Sequence, residues 1–389
     1  MNIDKIRFID YYVGIPLIQF FRPFKRLIKK NFSRNIRKIL LIKFFGLGNI
    51  VLSSPVFFLL KKFFPYAEIH YLTLKENIEI LRCYSDYIDK IKYIDINNIT
   101  FSTLSLIKDL RNENYDVIID LDQFSRYSAL LTFLINKSKS IGFKTKDAYR
   151  HYLYDIQIPY TGTKHVTEEF VNLLKGLGID RNKLQEKIKL LPLKVPKNFR
   201  DRVKKFLKKY NLIDKTIIGI HPGTSENAPQ RQWPYFKELI EKLLLETNYN
   251  IVITAGPKEY EKSENLIKNL KLNQSFKKRV IISKEISLLE LPELIKYFSV
   301  YISNDTGPLH IAAAQKVFVI GLYGPNTPKL YGPYTDKCYV FYKSLPCSPC
   351  ITNFNNKKTT CKNPICMKKI SVNEVFLKIL EVLKNKNEK

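Results

Sequence analysis

Two successive series of short apolar runs, each separated from the next by an amphipathic segment, constrain this chain more than any other feature. The first series places strands at 39–44, 68–73, 91–96 and 117–121, with helical patterns at 50–63, 78–84 and 104–112. The second follows a Pro- and Lys-rich stretch at 192–215, with strands at 217–221, 250–255, 280–283, 300–303 and 317–322 and helices at 234–246 and 288–298. Runs this short and apolar, alternating with helices, predict α/β folding with parallel, doubly wound sheets. Two series predict two Rossmann-like domains, and 389 residues suffice for two separate cores. The expected divisions are a basic amphipathic segment at 1–36, an amino-terminal domain at 37–200 and a carboxyl-terminal domain at 201–389. Ligands of such sheets bind outside the carboxyl ends of the strands, and two facing sheets place that crevice between the domains.

The stretch Ser303-Asn304-Asp305-Thr306-Gly307-Pro308-Leu309-His310 joins an apolar run to a small-residue helix through a Gly-Pro turn. Free N–H groups and the positive end of the helix dipole point out of Thr306-Gly307, so an anion is the natural ligand, and the pyrophosphate of a sugar nucleotide fits. The strand at 217–221 runs into Pro222-Gly223-Thr224-Ser225 and then Arg231-Gln232-Trp233-Pro234, where Thr224, Ser225 and Arg231 are donors of the types that clamp phosphates. In the first half, the strand at 39–44 runs into Gly46-Leu47-Gly48-Asn49, whose glycines allow close backbone approach. The dinucleotide fingerprint is incomplete there, for no third glycine arrives at the required spacing.

The net charge of +29 comes from 65 basic against 36 acidic residues. Nucleic acid, anionic lipid and a Lys-rich compositional bias are the competing readings; no nucleic-acid recognition motif is visible, so nucleic acid is not expected as a partner. Residues 11–21 are apolar and aromatic, and Arg22, Lys25, Arg26, Lys29, Lys30, Arg34, Arg37 and Lys38 follow. The apolar part is shorter than the roughly 20 residues that span a bilayer, and no cleavage site follows it. Two readings stand: a helix at an anionic membrane surface, which would put the protein on the cytoplasmic face of the inner membrane as a peripheral protein, or a helix packed on the protein itself.

These residues together resemble glycosyltransferase family 9, the heptosyltransferase family of lipopolysaccharide synthesis, from about Ile39 to the end. The most specific match is Ser303 to His310 followed by Gly321-Leu322-Tyr323-Gly324-Pro325-Asn326. Support comes from His221-Pro222-Gly223 with Arg231 to Pro234, the Gly46 to Pro55 loop, Tyr115 to Asp120 with Arg126 and Ser128, and His165 with Glu168. The resemblance implies the GT-B fold and inverting, metal-independent transfer, most simply of heptose from ADP-heptose to a lipid-linked inner-core saccharide. It implies that Asp305, Thr306, Gly307 and His310 line the donor pocket and that Arg231, Thr224 and Ser225 hold the diphosphate. On the acceptor side Gly48 and Arg126 are the candidates, Arg126 as a contact for an anionic acceptor group or, equally, as part of a solvated helix face. The family's general base is an Asp at the position of Asn49, and an amide accepts no proton at neutral pH. One reading makes Asp120 or Asp122, at a strand end, the substitute base; Asn49 alone orienting the acceptor, and a non-catalytic sugar-nucleotide binder, are the other readings. Transfer of a different sugar, such as N-acetylglucosamine from a UDP donor to a surface glycolipid or polysaccharide, also stays open.

Cys347, Cys350, Cys361 and Cys366 precede a predicted helix at 372–383. Two close pairs suit a structural zinc or an iron–sulfur cluster, against four unligated thiols as the alternative, and neither has a part in catalysis. Cys83 and Cys338 are expected to be packing residues. Of the histidines, His310 is the functional candidate; His165 and His221 are expected to be structural.

Overall fold

The structure is a computed structural model, and it describes residues 3–27, 35–95, 99–135, 139–180, 184, 187–225, 228–352 and 359–387. Two compact units divide between Leu191 and Pro192. The division lies before the expected 200/201, which falls inside helix Lys197–Lys209, a continuous element that belongs wholly to the second unit. Residues 1–36 are part of the first unit rather than a segment apart.

The first unit holds β1 (Lys38–Ile42), β2 (Glu68–Leu74), β3 (Lys90–Ile94), β4 (Val117–Asp120), β5 (Lys139–Lys144) and β6 (Ile156–Pro159) in the order β3-β2-β1-β4-β5-β6. The second holds β7 (Ile217–His221), β8 (Asn250–Ile253), β9 (Val280–Ile282), β10 (Val300–Asn304), β11 (Phe318–Tyr323) and β12 (Cys338–Tyr342) in the order β12-β11-β10-β7-β8-β9. The two sheets have one topology, and every pairing is parallel. In each, chain order reverses beside the first strand, between β1 and β4 and between β7 and β10. The strands at these reversals are buried along almost their whole length, as helices on both faces require. Trp233 is fully buried in the second core and gives its indole N–H to the Ile370 carbonyl at 2.9 Å. Among the described residues no helix is long and apolar enough to cross a membrane.

Sequence periodicity missed β5, β6 and β12. Their sequences, KSIGFK, IQIP and CYVFY, mix polar, Gly or Pro residues into short runs, and β6 and β12 are edge strands that need less apolar surface. The single helix expected at 50–63 is two helices, Leu47–Leu52 and Ser54–Phe63, which meet at Ser53 just ahead of Pro55.

A buried ionic cluster fixes the end of β4. Asp120 and Arg150 are both fully buried; the carboxylate accepts from Arg150 Nη2 at 2.6 Å, Tyr154 Oη at 2.6 Å and the Asp122 N–H at 2.9 Å. Arg150 Nη2 also reaches Ser128 Oγ at 3.0 Å, and Nη1 donates to the Asp122 carbonyl. Burial pushes the Asp120 carboxyl above its usual range, and the Arg150 charge opposes that rise. Removing one partner leaves an uncompensated buried charge. Arg150→Met is therefore expected to destabilise the first unit by roughly 3–5 kcal/mol, and the double change Arg150→Met/Asp120→Leu to recover part of the loss. Calorimetric unfolding checks this; equal melting temperatures for wild type and Arg150→Met would show that the cluster contributes nothing.

The last helix, Val372–Asn387, begins on a reciprocal cap: Ser371 N–H and Oγ both donate to Glu374 Oε2 at 2.9 Å, and Glu374 N–H donates to Ser371 Oγ at 3.2 Å. The Lys343 ammonium, 2.6 Å from Glu374 Oε1, and the Ser371 N–H hold the carboxyl at about 2. A depressed folded-state value contributes stability above the unfolded value and loses it as pH falls through the folded one. Melting temperatures of wild type and Glu374→Gln should thus differ at pH 6 and converge between about pH 4.5 and pH 2.

Candidate functional site

In the first unit, β1 and β4 run side by side with Ile42 opposite Asp120, so the loops that leave them emerge together at the reversal of strand order. The loop after β1 turns at Gly46, whose φ of 92° is a left-handed conformation that a side chain resists, and enters helix Leu47–Leu52 with no side-chain cap. Gly48 and Asn49 lie on that first turn, both half-buried, and the Asn49 amide folds back against Gly46. The sequence placed these residues correctly at a strand's carboxyl end.

Asp120 and Asp122 stand at the same edge but face inward. Asp120 is committed to Arg150, and Asp122 takes the buried Lys43 ammonium on Oδ1 and the Phe44 N–H on Oδ2 at 3.0 Å. At 0% and 3% exposure both carboxylates are enclosed, and the pair ties the loop after β1 to the loop after β4. Arg126 is also otherwise employed. It is 9% exposed, its Nη1 pairs with Asp10 at 3.3 Å and its Nη2 donates to the Asp147 carbonyl at 3.2 Å. The expected acceptor contact of Arg126 gives way to an internal ion pair, because the amino-terminal segment brings a carboxylate that the sequence could not place.

In the second unit, β7 and β10 are paired, with Ser303 opposite His221. Asn304 bolts the two loops together: its Oδ1 accepts the Trp233 N–H at 2.9 Å, and its Nδ2 donates to the Pro222 and Gly223 carbonyls, both at 3.1 Å. Beyond it, Thr306 sits in extended conformation ahead of helix Gly307–Ala314 and makes no side-chain cap. Its hydroxyl is turned to Ser303 Oγ at 3.0 Å instead. The helix has no acidic residue in its first turn, so its amino-terminal N–H groups and positive dipole end are left for an outside anion.

Arg231 joins this turn. Its Nη1 lies 3.3 Å from Asp305 Oδ2 and 3.5 Å from the Asp305 carbonyl, while Asn326 Nδ2 donates to the same carboxylate at 2.7 Å. Asp305 therefore orients the guanidinium as well as lining the turn. The buried Arg231 Nε has no hydrogen-bond partner among the described residues. Thr224 is half-buried and Ser225 exposed on the loop after β7. His310 is on the helix but 4% exposed, which sets its ring inside the fold. His221 gives its ring to the Thr254 carbonyl at 2.8 Å, and His165 caps helix Val166–Asn172 by accepting from Thr167 N–H at 3.2 Å, both structural as expected.

The four cysteines are free thiols and neighbours, yet among the described residues no three His, Cys, Asp or Glu side chains come together as a metal's ligands. Cys366 is 6% exposed and packs in the apolar core beside Gly324, whereas Cys347 is exposed. Burial pushes the Cys366 thiol above its ordinary range, and Cys347, Cys350 and Cys361 lie close enough to act on it electrostatically. Cys83 is buried and Cys338 half-buried, consistent with packing.

Sequence reasoning missed Asn304, Asn326, Lys43, Arg150 and Asp10. Asn304 lies inside, and Asn326 ends, a motif already singled out, and both could have been suspected; the other three act across long sequence separations and carry no local signal.

The profile of glycosyltransferase family 9 (heptosyltransferase) matches residues 103–360. Among curated proteins, a lipooligosaccharide heptosyltransferase 2 of Campylobacter jejuni is 24% identical over 294 residues, 74% of this chain and 88% of that protein. A lipopolysaccharide heptosyltransferase 1 of Campylobacter coli is 27% identical over 297 residues, 74% of this chain and 84% of that protein. Among solved structures, a family 9 glycosyltransferase of Veillonella parvula superposes with a TM-score of 0.73 at 20% identity, covering 91% of this chain and all of that one. The ADP-heptose lipopolysaccharide heptosyltransferase II of Escherichia coli gives 0.72 at 21% identity, covering 90% of this chain and 99% of that one. The structural neighbours share the fold, and because the family profile covers more than half of its length the chain belongs to glycosyltransferase family 9.

Proposed function

We propose that this glycosyltransferase moves heptose from ADP-heptose to the inner core of a lipid-linked saccharide acceptor, inverting the anomeric carbon without a metal ion. One observation carries the reading: the uncapped amino terminus of helix Gly307–Ala314 with Arg231 held beside it by Asp305. A diphosphate leaving group needs positive charge fixed in place before the reaction, and a helix terminus with a braced guanidinium supplies it without reorganisation. The heptosyltransferase names of the relatives support the sugar, and the ADP-heptose enzyme among the structural neighbours supports the nucleotide.

Thermal-shift binding discriminates among donors, since a ligand selective for the folded state raises its melting temperature. ADP-heptose is expected to stabilise the protein, and UDP-N-acetylglucosamine and GDP-mannose to leave it unchanged. Stabilisation by a UDP sugar alone would move the assignment to another transferase. Arg231→Ala should weaken ADP-heptose binding about 10–100-fold, the range of a charge-assisted contact, and lower the melting temperature of the free protein because Asp305 loses its cation. An unchanged dissociation constant would remove Arg231 from the site.

The acceptor side lacks a carboxylate at Asn49, and Asp120 and Asp122 are enclosed. In this reading Asn49 orients the acceptor hydroxyl, and proton removal at that position is unassisted. Asn49→Asp is then expected to raise kcat about 100-fold or more, the usual contribution of a positioned base, with the donor KM unchanged. The second reading, a sugar-nucleotide binder without turnover, is favoured by the same Asn49; it predicts donor binding with no product from either protein.

A further inference from the structure

The first two helices are not spare chain laid on a surface. α1 (Ile3–Tyr12) and α2 (Gly14–Leu27) form a hairpin whose inner side is built into the first unit. Ile18 is fully buried among Ala129, Leu130, Phe133, Leu153 and Tyr154, and Phe21 stacks on Phe133 with ring centroids 5.4 Å apart. Gly14 lies so close to Arg126 that an added Cβ would come within 2.8 Å of its Cβ. Asp10 completes the join by capping a helix it does not belong to. Its Oδ1 accepts the Arg126 and Tyr127 N–H groups at 2.8 and 2.9 Å, at the start of helix Arg126–Ile135, which has no acidic residue of its own in its first turn.

The outer side of the hairpin is the opposite in character. Phe8, Tyr12 and Phe20 are each 61% exposed, with Tyr11, Phe24 and Leu17 between 39% and 49%. So much aromatic surface left in water on a rigidly held element is costly unless something covers it. The charge identifies the cover. Arg22, Lys25 and Arg26 are on α2 itself, Lys25 paired with Asp155 at 3.7 Å, the sequence that follows adds Lys29, Lys30 and Arg34, and the whole chain carries +29. Aromatic side chains at headgroup depth beside a basic flank suit an anionic lipid surface, whereas a second copy of so basic a chain would bring like charges together.

We propose that the outer face of this hairpin docks the enzyme on an anionic bilayer surface. Because Asp10 fixes the hairpin to the start of helix Arg126–Ile135, which follows β4, docking holds the loop-bearing edge of the first unit in a set relation to the membrane. The Gly46–Asn49 loop leaves the same edge from the adjacent strand β1. This extends the reading of a lipid-linked acceptor, though the docking itself does not depend on which sugar is transferred.

The test is co-flotation of the full chain with vesicles of phosphatidylglycerol and phosphatidylcholine, against phosphatidylcholine alone, beside the variant Tyr12→Ser/Phe20→Ser/Phe24→Ser. These three side chains are exposed, so the variant should melt with wild type and keep its response to ADP-heptose. Wild type is expected to float with the anionic vesicles, and the variant to lose at least about tenfold in partition. Equal flotation of the two proteins, or none for wild type, overturns the proposal, as does aromatic-dependent self-association without lipid in sedimentation velocity. Donor binding is read separately, so a failure of docking is distinguishable from a failure of the heptosyltransferase reading.

Discussion

A parallel sheet covered by helices on both faces has free backbone only at the ends of its strands, and this constraint organises both units of the protein. Reversal of strand order beside β1 and beside β7 forces two connections to part in opposite directions. The gap they leave at the carboxyl ends is where a ligand can meet backbone N–H groups and loop side chains without disturbing the core. Every residue credited with a part in donor or acceptor binding lies on a loop or helix start at one of these two gaps.

The gaps are held open by different means. In the second unit a neutral amide, Asn304, satisfies one N–H and two carbonyls from the neighbouring loop, which sets the turn at Asp305–Gly307 without adding charge. The helix terminus and Arg231 then remain the positive features at the turn, and Asp305 tempers and aims the guanidinium. In the first unit the same task falls to charged pairs, Asp120 with Arg150 and Asp122 with Lys43, all buried. Burying four charges is costly unless each is matched, and the geometry matches them closely; the consequence is that the carboxylates beside the Gly46–Asn49 loop are engaged in structure. That leaves Asn49, an amide that takes up no proton at neutral pH, as the polar side chain on the first turn after Gly46.

Much of this was legible in the residues. The nine strands recognised from periodicity lie where buried apolar runs alternate with amphipathic helices, and the Gly46, Pro222–Ser225 and Asp305–Gly307 loops announce themselves because glycine, proline and hydroxyl residues follow directly on a strand. The edge strand Ile156–Pro159 was illegible because four residues ending in proline carry no period. The role of Arg126 was misread for a related reason: its partner Asp10 is 116 residues away, and no local pattern reports a contact of that span.

The sequence by itself determined the parallel α/β class, the two-unit organisation, the family and the position of the Asp305–Gly307 turn, since all of these follow from local order along the chain. Only the tertiary structure decided which charged groups are available. Asp120, Asp122 and Arg126 look like site residues when read in line, but burial makes an unpaired charge so unfavourable that each is captured by a partner brought in from elsewhere in the fold, and what is left half-buried at the two gaps is Asn49 at one and Arg231 beside a bare helix terminus at the other.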